Sequence, residues 1–222
     1  MSIYFVTATG TDIGKTYVTA GLIRALLARG HSVDALKPVV SGLDPRNLAG
    51  SDPGMLLHAL GDPVTPETVA QISPWRFAAP LSPDMAAARE GRSVDFDALV
   101  GFCRAAIAAA RGTLFVEGVG GVMVPLDERR TVLDWAGALG VPLIVVAGSY
   151  LGTLSHTLTV LDVIARAGLT VAAVIVNESA GSTVPLDETA QSLRRFTKVP
   201  VATLTRDTSP AAFDGLLDLV QP

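Results

Sequence analysis

The chain has a single cysteine, few histidines and no long hydrophobic run. Cys103 is the only cysteine among 222 residues, so no disulfide can form within the chain. The three histidines are scattered, which disfavours a Cys/His zinc site. No apolar stretch approaches the roughly 20 residues that a membrane span needs, and the N-terminus lacks the pattern of a secretory signal. These absences predict a cytoplasmic protein with no membrane partner.

Aromatic residues and basic clusters are also scarce. Aromatic side chains make up 5% of the chain, the formal net charge is −4, and no basic block is present. A nucleic-acid-binding surface needs clustered Lys and Arg, often with stacking aromatic rings, so we expect no nucleic acid partner. By contrast, 49% of the residues are hydrophobic, which is enough for the core of one domain over residues 1–222.

Short, almost continuously apolar strands alternate with helical segments. The predicted strands cover residues 3–6, 33–40, 113–116, 142–147, 171–176 and 199–204, and the predicted helices cover 15–29, 54–60, 96–111, 157–167 and 186–196. Strands buried on both faces are typical of parallel sheets, so we expect an α/β domain with a mostly parallel central sheet and helices on both faces. Residues 61–83 are rich in proline and are predicted to hold only loops or short pieces. Ligands bind such sheets at the carboxyl ends of the strands, so polar residues there are candidates for a site.

A candidate phosphate-binding loop follows the first strand. Residues 7–16 read Thr-Ala-Thr-Gly-Thr-Asp-Ile-Gly-Lys-Thr and lead into a helix. Such a turn surrounds a phosphate with backbone N–H groups, while Lys15 supplies positive charge and the Thr16 hydroxyl is a Mg²⁺ ligand. The usual motif has glycine where this chain has Thr9. The alternative is a glycine-rich turn with a surface lysine, but the position between strand and helix favours binding of a nucleoside triphosphate.

Charged and amide side chains lie at the other strand ends. Lys37 comes late in an apolar strand, where a lysine is costly unless it faces an anion or reaches solvent at the edge. Glu117 ends another strand and precedes glycines, which suits a metal-facing carboxylate or an exposed turn. Asp52 either reaches the same metal or caps its helix. Asn177 either reads the donor and acceptor edge of a purine or caps a turn. Residues 152–155 open a helix whose N–H groups either hold a carboxylate or are capped locally.

In combination, these segments resemble the dethiobiotin synthetase family, P-loop NTPase-like enzymes that close the ureido ring late in biotin synthesis. The resemblance spans nearly the whole chain in the same order. It rests on the phosphate loop, on Lys-Pro-Val-Val-Ser-Gly at 37–42, on Ser-Asp at 51–52, on residues 77–83, on Val-Glu-Gly-Val-Gly-Gly at 116–121, on residues 151–157 and on Ile-Val-Asn at 175–177. It implies a Mg²⁺-dependent ligase that uses 7,8-diaminopelargonate, CO₂ and ATP, and a homodimer with active sites at the subunit interface.

The same resemblance implies roles for individual residues. The implied catalytic residues are Lys37, Lys15 and Thr11, and the implied metal ligands are Thr16, Asp52 and Glu117. The implied substrate-binding residues are Ser41, Pro80, Gly152, Thr153, Leu154 and Ser155, of which the last four would bind the substrate carboxylate across the dimer interface. The implied nucleotide-binding residues are Asp12, Ile13, Gly14, Lys15, Thr16, Tyr17, Asp52, Glu117, Gly118, Val119, Gly120 and Asn177, with Asn177 reading the adenine. The chain departs from the family at Ala8, where glycine is common, and at Leu204-Thr205, where Ile-Pro is common.

The implied reaction needs no protein nucleophile. A substrate amine attacks CO₂ to give a carbamate, whose oxygen attacks the γ-phosphate of ATP. The second amine then closes the ring on the carbamic–phosphoric anhydride and releases phosphate. Positioning and charge neutralisation carry such phosphoryl transfer. Two alternatives stay open: an ATP-dependent amidoligase on the same scaffold, and a nucleotide-switched partitioning or positioning ATPase.

Overall fold

A six-stranded parallel sheet forms the centre of the molecule. The computed structural model describes residues 1–206 and 210–220. Within them the strands are β1 (Ser2–Ala8), β2 (Val33–Leu36), β3 (Val39–Ser41), β4 (Trp75–Phe77), β5 (Thr113–Glu117), β6 (Leu143–Gly148), β7 (Val171–Asn177) and β8 (Val201–Leu204). The main sheet has the order β2-β5-β1-β6-β7-β8, and each neighbouring pair is parallel. β3 and β4 pair in a separate two-stranded sheet.

Helices connect the strands. Within the described residues they are α1 (Lys15–Ala28), α2 (Asp52–Leu60), α3 (Pro66–Ile72), α4 (Pro83–Arg89), α5 (Phe96–Ala109), α6 (Val132–Leu139), α7 (Thr153–Arg166), α8 (Leu186–Phe196) and α9 (Pro210–Leu217). A short 3-10 helix, Leu48–Gly50, precedes α2. None of the helices in the described part of the chain is long and apolar enough to cross a bilayer.

The sheet is covered on both faces, as predicted. Along β1, Tyr4 and Val6 join a buried cluster with residues of α1, α2 and α9, whereas Phe5 joins a cluster with residues of α5, α6 and α8. The Phe5 ring packs edge-on against Trp135, with ring centroids 4.9 Å apart. Because successive side chains of a strand point to opposite faces, an almost wholly apolar β1 supplies both cores. The predicted single domain over 1–222 includes residues 207–209 and 221–222, which lie outside the described residues.

The prediction of one strand over 33–40 is wrong. β2 ends at Leu36, and β3 begins at Val39 in the other sheet. Pro38 has no N–H to donate to a sheet ladder, so the strand cannot continue through it. The Lys37 N–H donates instead to the carbonyl of Ile72, which precedes β4. The break places Lys37 between the two sheets.

Residues 61–83 hold short pieces, as predicted, but neither the seven-residue α3 nor the three-residue β4 was itself predicted. Thr65 caps α3, accepting from the Thr68 N–H, and Pro66 occupies the first turn, where a missing N–H costs nothing. Helices α4, α6 and α9 were not predicted either. At the start of α6, Asp134 accepts from both the N–H and the hydroxyl of Thr131. In these segments proline and threonine mark helix starts rather than loops.

Candidate active site

The turn between β1 and α1 presents the N-terminus of α1 to the carboxyl edge of the sheet. Gly14 precedes α1 with φ +94°, and no side chain of the described residues caps the helix. Asn177, at the end of β7, donates from Nδ2 to the Ile13 carbonyl at 3.0 Å. A Cβ at Gly14 would lie 2.4 Å from this Nδ2. Free helix N–H groups in this setting suit a phosphate, as predicted for this loop.

Four side chains from separate segments of the chain meet beside this loop: Thr16 of α1, Lys37 between β2 and β3, Asp52 of α2 and Glu117 of β5. The Lys37 Nζ lies 2.7 Å from Glu117 Oε1 and 2.8 Å from Asp52 Oδ2, and it donates to the Gly118 carbonyl at 2.9 Å. The Thr16 hydroxyl donates to Glu117 Oε1 at 2.6 Å. Lys37 and Glu117 are 1% and 0% exposed, while the Asp52 side chain is 44% exposed. The structure therefore brings together the predicted metal ligands and the predicted catalytic lysine.

The electrostatic environment acts differently on the two lysines. Burial disfavours the charged form of Lys37, but Glu117 and Asp52 outweigh it and raise the pKa of Lys37. Burial also disfavours ionised Asp52, yet the charge of Lys37 and a hydrogen bond from it lower the pKa of Asp52. Lys15 has no such direct ion pair. Burial and the charge of Lys37 lower the pKa of Lys15 to about 8, and the negative charges of Glu117 and Asp52 offset this only in part. An anion placed next to Lys15 would reverse the shift.

The oxygen atoms in this cluster fit Mg²⁺. The donors are the Thr16 hydroxyl and the carboxylates of Asp52 and Glu117, which are the hard oxygen ligands that Mg²⁺ prefers. Glu117 Oε2 is buried and has no hydrogen-bond partner among the described residues. A buried carboxylate oxygen without a partner is costly, and a cation would remove that cost. Within the same residues, no group of three or more His, Cys, Asp or Glu side chains is arranged for a metal. A magnesium site here therefore depends on the threonine.

A cavity of about 710 Å³ opens next to the cluster. It brings together twelve of the predicted site residues: Thr11, Asp12, Gly14, Lys15, Thr16, Tyr17, Lys37, Ser41, Asp52, Pro80, Val119 and Gly120. The Ser41 Oγ is buried without a partner among the described residues. Val40, Leu43, Met55 and Val124 also line this cavity and were missed by the sequence analysis. Val40 and Leu43 lie within two residues of the predicted Ser41, so only their apolar character concealed them.

A second cavity of about 580 Å³ lies on the Asn177 side of the phosphate loop. Ile13, Gly14, Tyr17 and Asn177 contribute to it, as a nucleotide site would require. The Asn177 Oδ1 is buried and has no partner among the described residues. Tyr150, Glu178, Ser179, Ala180 and Arg206 were missed. They follow β6, β7 and β8, so a search of all residues just beyond the carboxyl ends of the strands would have found them.

The predicted carboxylate-binding residues lie elsewhere. Gly152 precedes α7 with φ +100°, and neither of these two cavities is lined by Gly152, Thr153, Leu154 or Ser155. The Thr153 hydroxyl is buried and donates to the Gly148 carbonyl at 2.6 Å. The neighbouring Leu151 is 92% exposed. A role for this helix end at a partner subunit's site stays a prediction.

The fold and the phosphate loop define a P-loop NTPase-like protein. Solved structures with the same fold include the MinC:MinD cell division complex of Aquifex aeolicus, with a TM-score of 0.58, 12% identity and coverage of 99% of this chain and 84% of that one. Another is the cell division ATPase MinD of Pyrococcus furiosus, with a TM-score of 0.54, 19% identity and coverage of 99% and 89%. At such low identity the likeness concerns the fold alone.

Sequence relatives narrow the class to one family. A family model described as an AAA domain matches residues 3–204. A protein of Acidiphilium cryptum is 53% identical over 196 residues, which cover 88% of each chain. A protein of Methylobacterium nodulans is 50% identical over 212 residues, which cover 93% of this chain and 94% of that one. Both are named ATP-dependent dethiobiotin synthetase. The chain belongs to the dethiobiotin synthetase family of ATP-dependent enzymes.

Proposed function

We propose that this enzyme uses ATP, with Mg²⁺, to carboxylate 7,8-diaminopelargonate with CO₂ and close it to dethiobiotin, releasing ADP and phosphate in the cytoplasm. The observation that carries the proposal is the position of the Lys37 ammonium. It is buried between Asp52 and Glu117 and also lines the cavity that contains Ser41 and Pro80. A cation at the boundary between a phosphate loop and a substrate-sized cavity suits a reaction that joins a carbamate to a γ-phosphate.

Different residues of the chain would bind the ATP phosphates, stabilise the carbamate and hold the metal. The N-terminus of α1 and Lys15 would bind the phosphates of ATP, and Thr11 would contact them from the loop. Lys37 would stabilise the negative charge of the carbamate, and the unpartnered Ser41 hydroxyl would bind the same substrate. Thr16, Asp52 and Glu117 would hold Mg²⁺. When bound, Mg²⁺ would neutralise charge on the phosphoryl group during transfer.

The proposal includes a homodimer. No side chain of the described residues caps the N-terminus of α7, and the adjacent Leu151 is exposed, yet residues 152–155 line neither of the two cavities described above. Residues 152–155 of one subunit would bind the substrate carboxylate at the site of its partner. The long, flexible substrate would then be bound at both ends, its carbamate by Lys37 and its carboxylate by the N-terminus of α7.

The test is formation of dethiobiotin from diaminopelargonate, bicarbonate and Mg-ATP by the purified full-length protein. We expect one ADP and one phosphate for each dethiobiotin, and release of ADP that depends strictly on the diamine. Omission of the diamine and omission of bicarbonate are the controls. Release of ADP at the same rate without the diamine would support a nucleotide-switched ATPase. Consumption of ATP with glutamine or ammonia and a carboxylate substrate, but not with the diamine, would support an amidoligase.

A further inference from the structure

The Lys37 ammonium is bound by the same carboxylates that the proposed metal site needs. Its three acceptors are Glu117 Oε1 at 2.7 Å, Asp52 Oδ2 at 2.8 Å and the Gly118 carbonyl at 2.9 Å. An ammonium has three N–H donors, so these contacts use all of its hydrogen-bonding capacity. In this arrangement Lys37 cannot also bind a carbamate. Its proposed catalytic role therefore requires the ammonium to leave the carboxylates.

The backbone of Lys37 is held in place on both sides. Its N–H donates to the Ile72 carbonyl at 3.1 Å, and its own carbonyl accepts from the Ser73 hydroxyl at 2.6 Å. Ser73 is fully buried. Pro38, which follows, restricts the chain further. The flexible four-carbon side chain is thus the part of Lys37 that can move, and it already lines the cavity that contains Ser41.

The buried carboxylate of Glu117 requires a cation beside it. Glu117 is 0% exposed, and an ionised carboxylate at such a position is strongly unfavourable without a paired charge. Lys37 supplies that charge in the structure. A divalent cation on Glu117 and Asp52 would supply more charge and would repel an ammonium only a few ångströms away. The two cations therefore compete for one position.

We propose that Lys37 is the exchangeable counter-ion of the metal site: its ammonium neutralises Asp52 and Glu117, and it moves into the cavity beside Ser41 when a divalent cation binds them. The exchange rests on the metal site of the proposed function, and the destination of the ammonium rests also on its carbamate chemistry. Its consequence is an order of events, because Lys37 becomes available to an anionic substrate only after the metal is bound. Carbamate stabilisation is thereby coupled to loading of the metal.

The test is the affinity of the nucleotide-free, full-length protein for Mn²⁺, a paramagnetic substitute for Mg²⁺, measured by electron paramagnetic resonance. Lys37→Gln removes the competing ammonium, so we expect Mn²⁺ to bind more tightly by on the order of tenfold or more. Lys15→Gln is the matched control: it removes a nearby ammonium that donates to the Gly10 carbonyl at 3.5 Å rather than to a carboxylate. We expect a change of less than about threefold for it. Unchanged or weaker binding by Lys37→Gln, or equal gains in both variants, would overturn the exchange.

A thermal measurement covers the case in which Lys37→Gln folds poorly. Without the ammonium, the buried Glu117 carboxylate lacks a positively charged partner, and bound Mg²⁺ should take that place. We expect Mg²⁺ alone to raise the melting temperature of Lys37→Gln more than that of the wild type or of Lys15→Gln, or to restore its folding where it is lost. A Mg²⁺ response no larger than that of the wild type would reject the proposal. Neither measurement uses the diamine or turnover, so dethiobiotin formation can succeed or fail independently of them.

Discussion

Lys37 directly follows β2, and Glu117 ends the neighbouring parallel strand β5. The Lys37 Nζ lies 2.7 Å from Glu117 Oε1, and both side chains are shielded from solvent. The register of β2 and β5 pairs Leu36 with Val116, so Lys37, which directly follows β2, comes next to Glu117, the last residue of β5. The pair joins the phosphate loop to the cavity because Thr16 also donates to Glu117.

Replacement of Lys37 by glutamine should act mainly on the chemical step. The variant keeps a polar side chain but loses the charge that would stabilise the carbamate and the transferred phosphoryl group. We expect kcat to fall by on the order of 10²-fold or more, by comparison with the loss of one preorganised donor, while ATP still binds. Steady-state kinetics with a separate ATP-binding measurement test this. Normal turnover would exclude a chemical role for Lys37.

Replacement of Glu117 by alanine should affect both the metal and the stability. The change removes a proposed metal ligand and leaves the buried Lys37 with only Asp52 and one carbonyl. We expect a sharply higher Mg²⁺ requirement and a loss of about 3–5 kcal/mol in the free energy of unfolding. Glu128→Ala, at an exposed position, is the control and should change neither. A normal Mg²⁺ titration of Glu117→Ala would reject the assignment of Glu117 as a metal ligand.

Replacement of Gly14 by alanine should disrupt the phosphate loop. Gly14 has φ +94°, and a Cβ there would come within 2.4 Å of the Asn177 amide nitrogen. Gly30→Ala is a matched control, because Gly30 also has positive φ but has no atom within 4 Å of such a Cβ. The left-handed conformation should cost each variant about 1–2 kcal/mol of stability. Only Gly14→Ala should also lose nucleotide affinity, by on the order of tenfold or more, since the contact displaces the loop. Isothermal titration calorimetry distinguishes them, and equal affinities would contradict a role for this contact.

Cys103 should be unreactive in the folded enzyme. Burial raises the pKa of its thiol to about 12, so almost no thiolate is present at pH 8. Ellman's reagent should leave the native protein unmodified and should react with one thiol after unfolding. Because the folded pKa lies above the ordinary value of 9.0, the unfolded chain loses this proton first, and the contribution of Cys103 to stability declines as pH rises above about 9. Cys103→Ala should lack that decline, and rapid labelling of the native thiol would contradict its burial.

Local sequence features sufficed for much of the fold. The apolar strands and the glycine-rich turn before Lys15 are short-range patterns, so they predicted the parallel sheet and the phosphate loop. The strand over 33–40 failed because its apolar pattern continues through Pro38 while its hydrogen-bonding capacity does not. The helix at Pro66–Ile72 was missed because prolines and threonines were taken as loop residues, although they also begin helices.

The amino-acid sequence by itself determined the composition of the candidate site: a phosphate loop, two lysines, two carboxylates and an amide, each at the end of a strand or the start of a helix. These features depend on local patterns, and the expectation that ligands bind at the carboxyl ends of the strands needs no interatomic distances. Only the tertiary structure decided that Lys37 pairs with the carboxylates of Asp52 and Glu117. The break at Pro38 is local, but residues 37, 52 and 117 meet through the strand order, which brings together segments far apart in the sequence and is not encoded within a few residues of any of them. The same packing excludes water from Glu117, which is why a cation must accompany it.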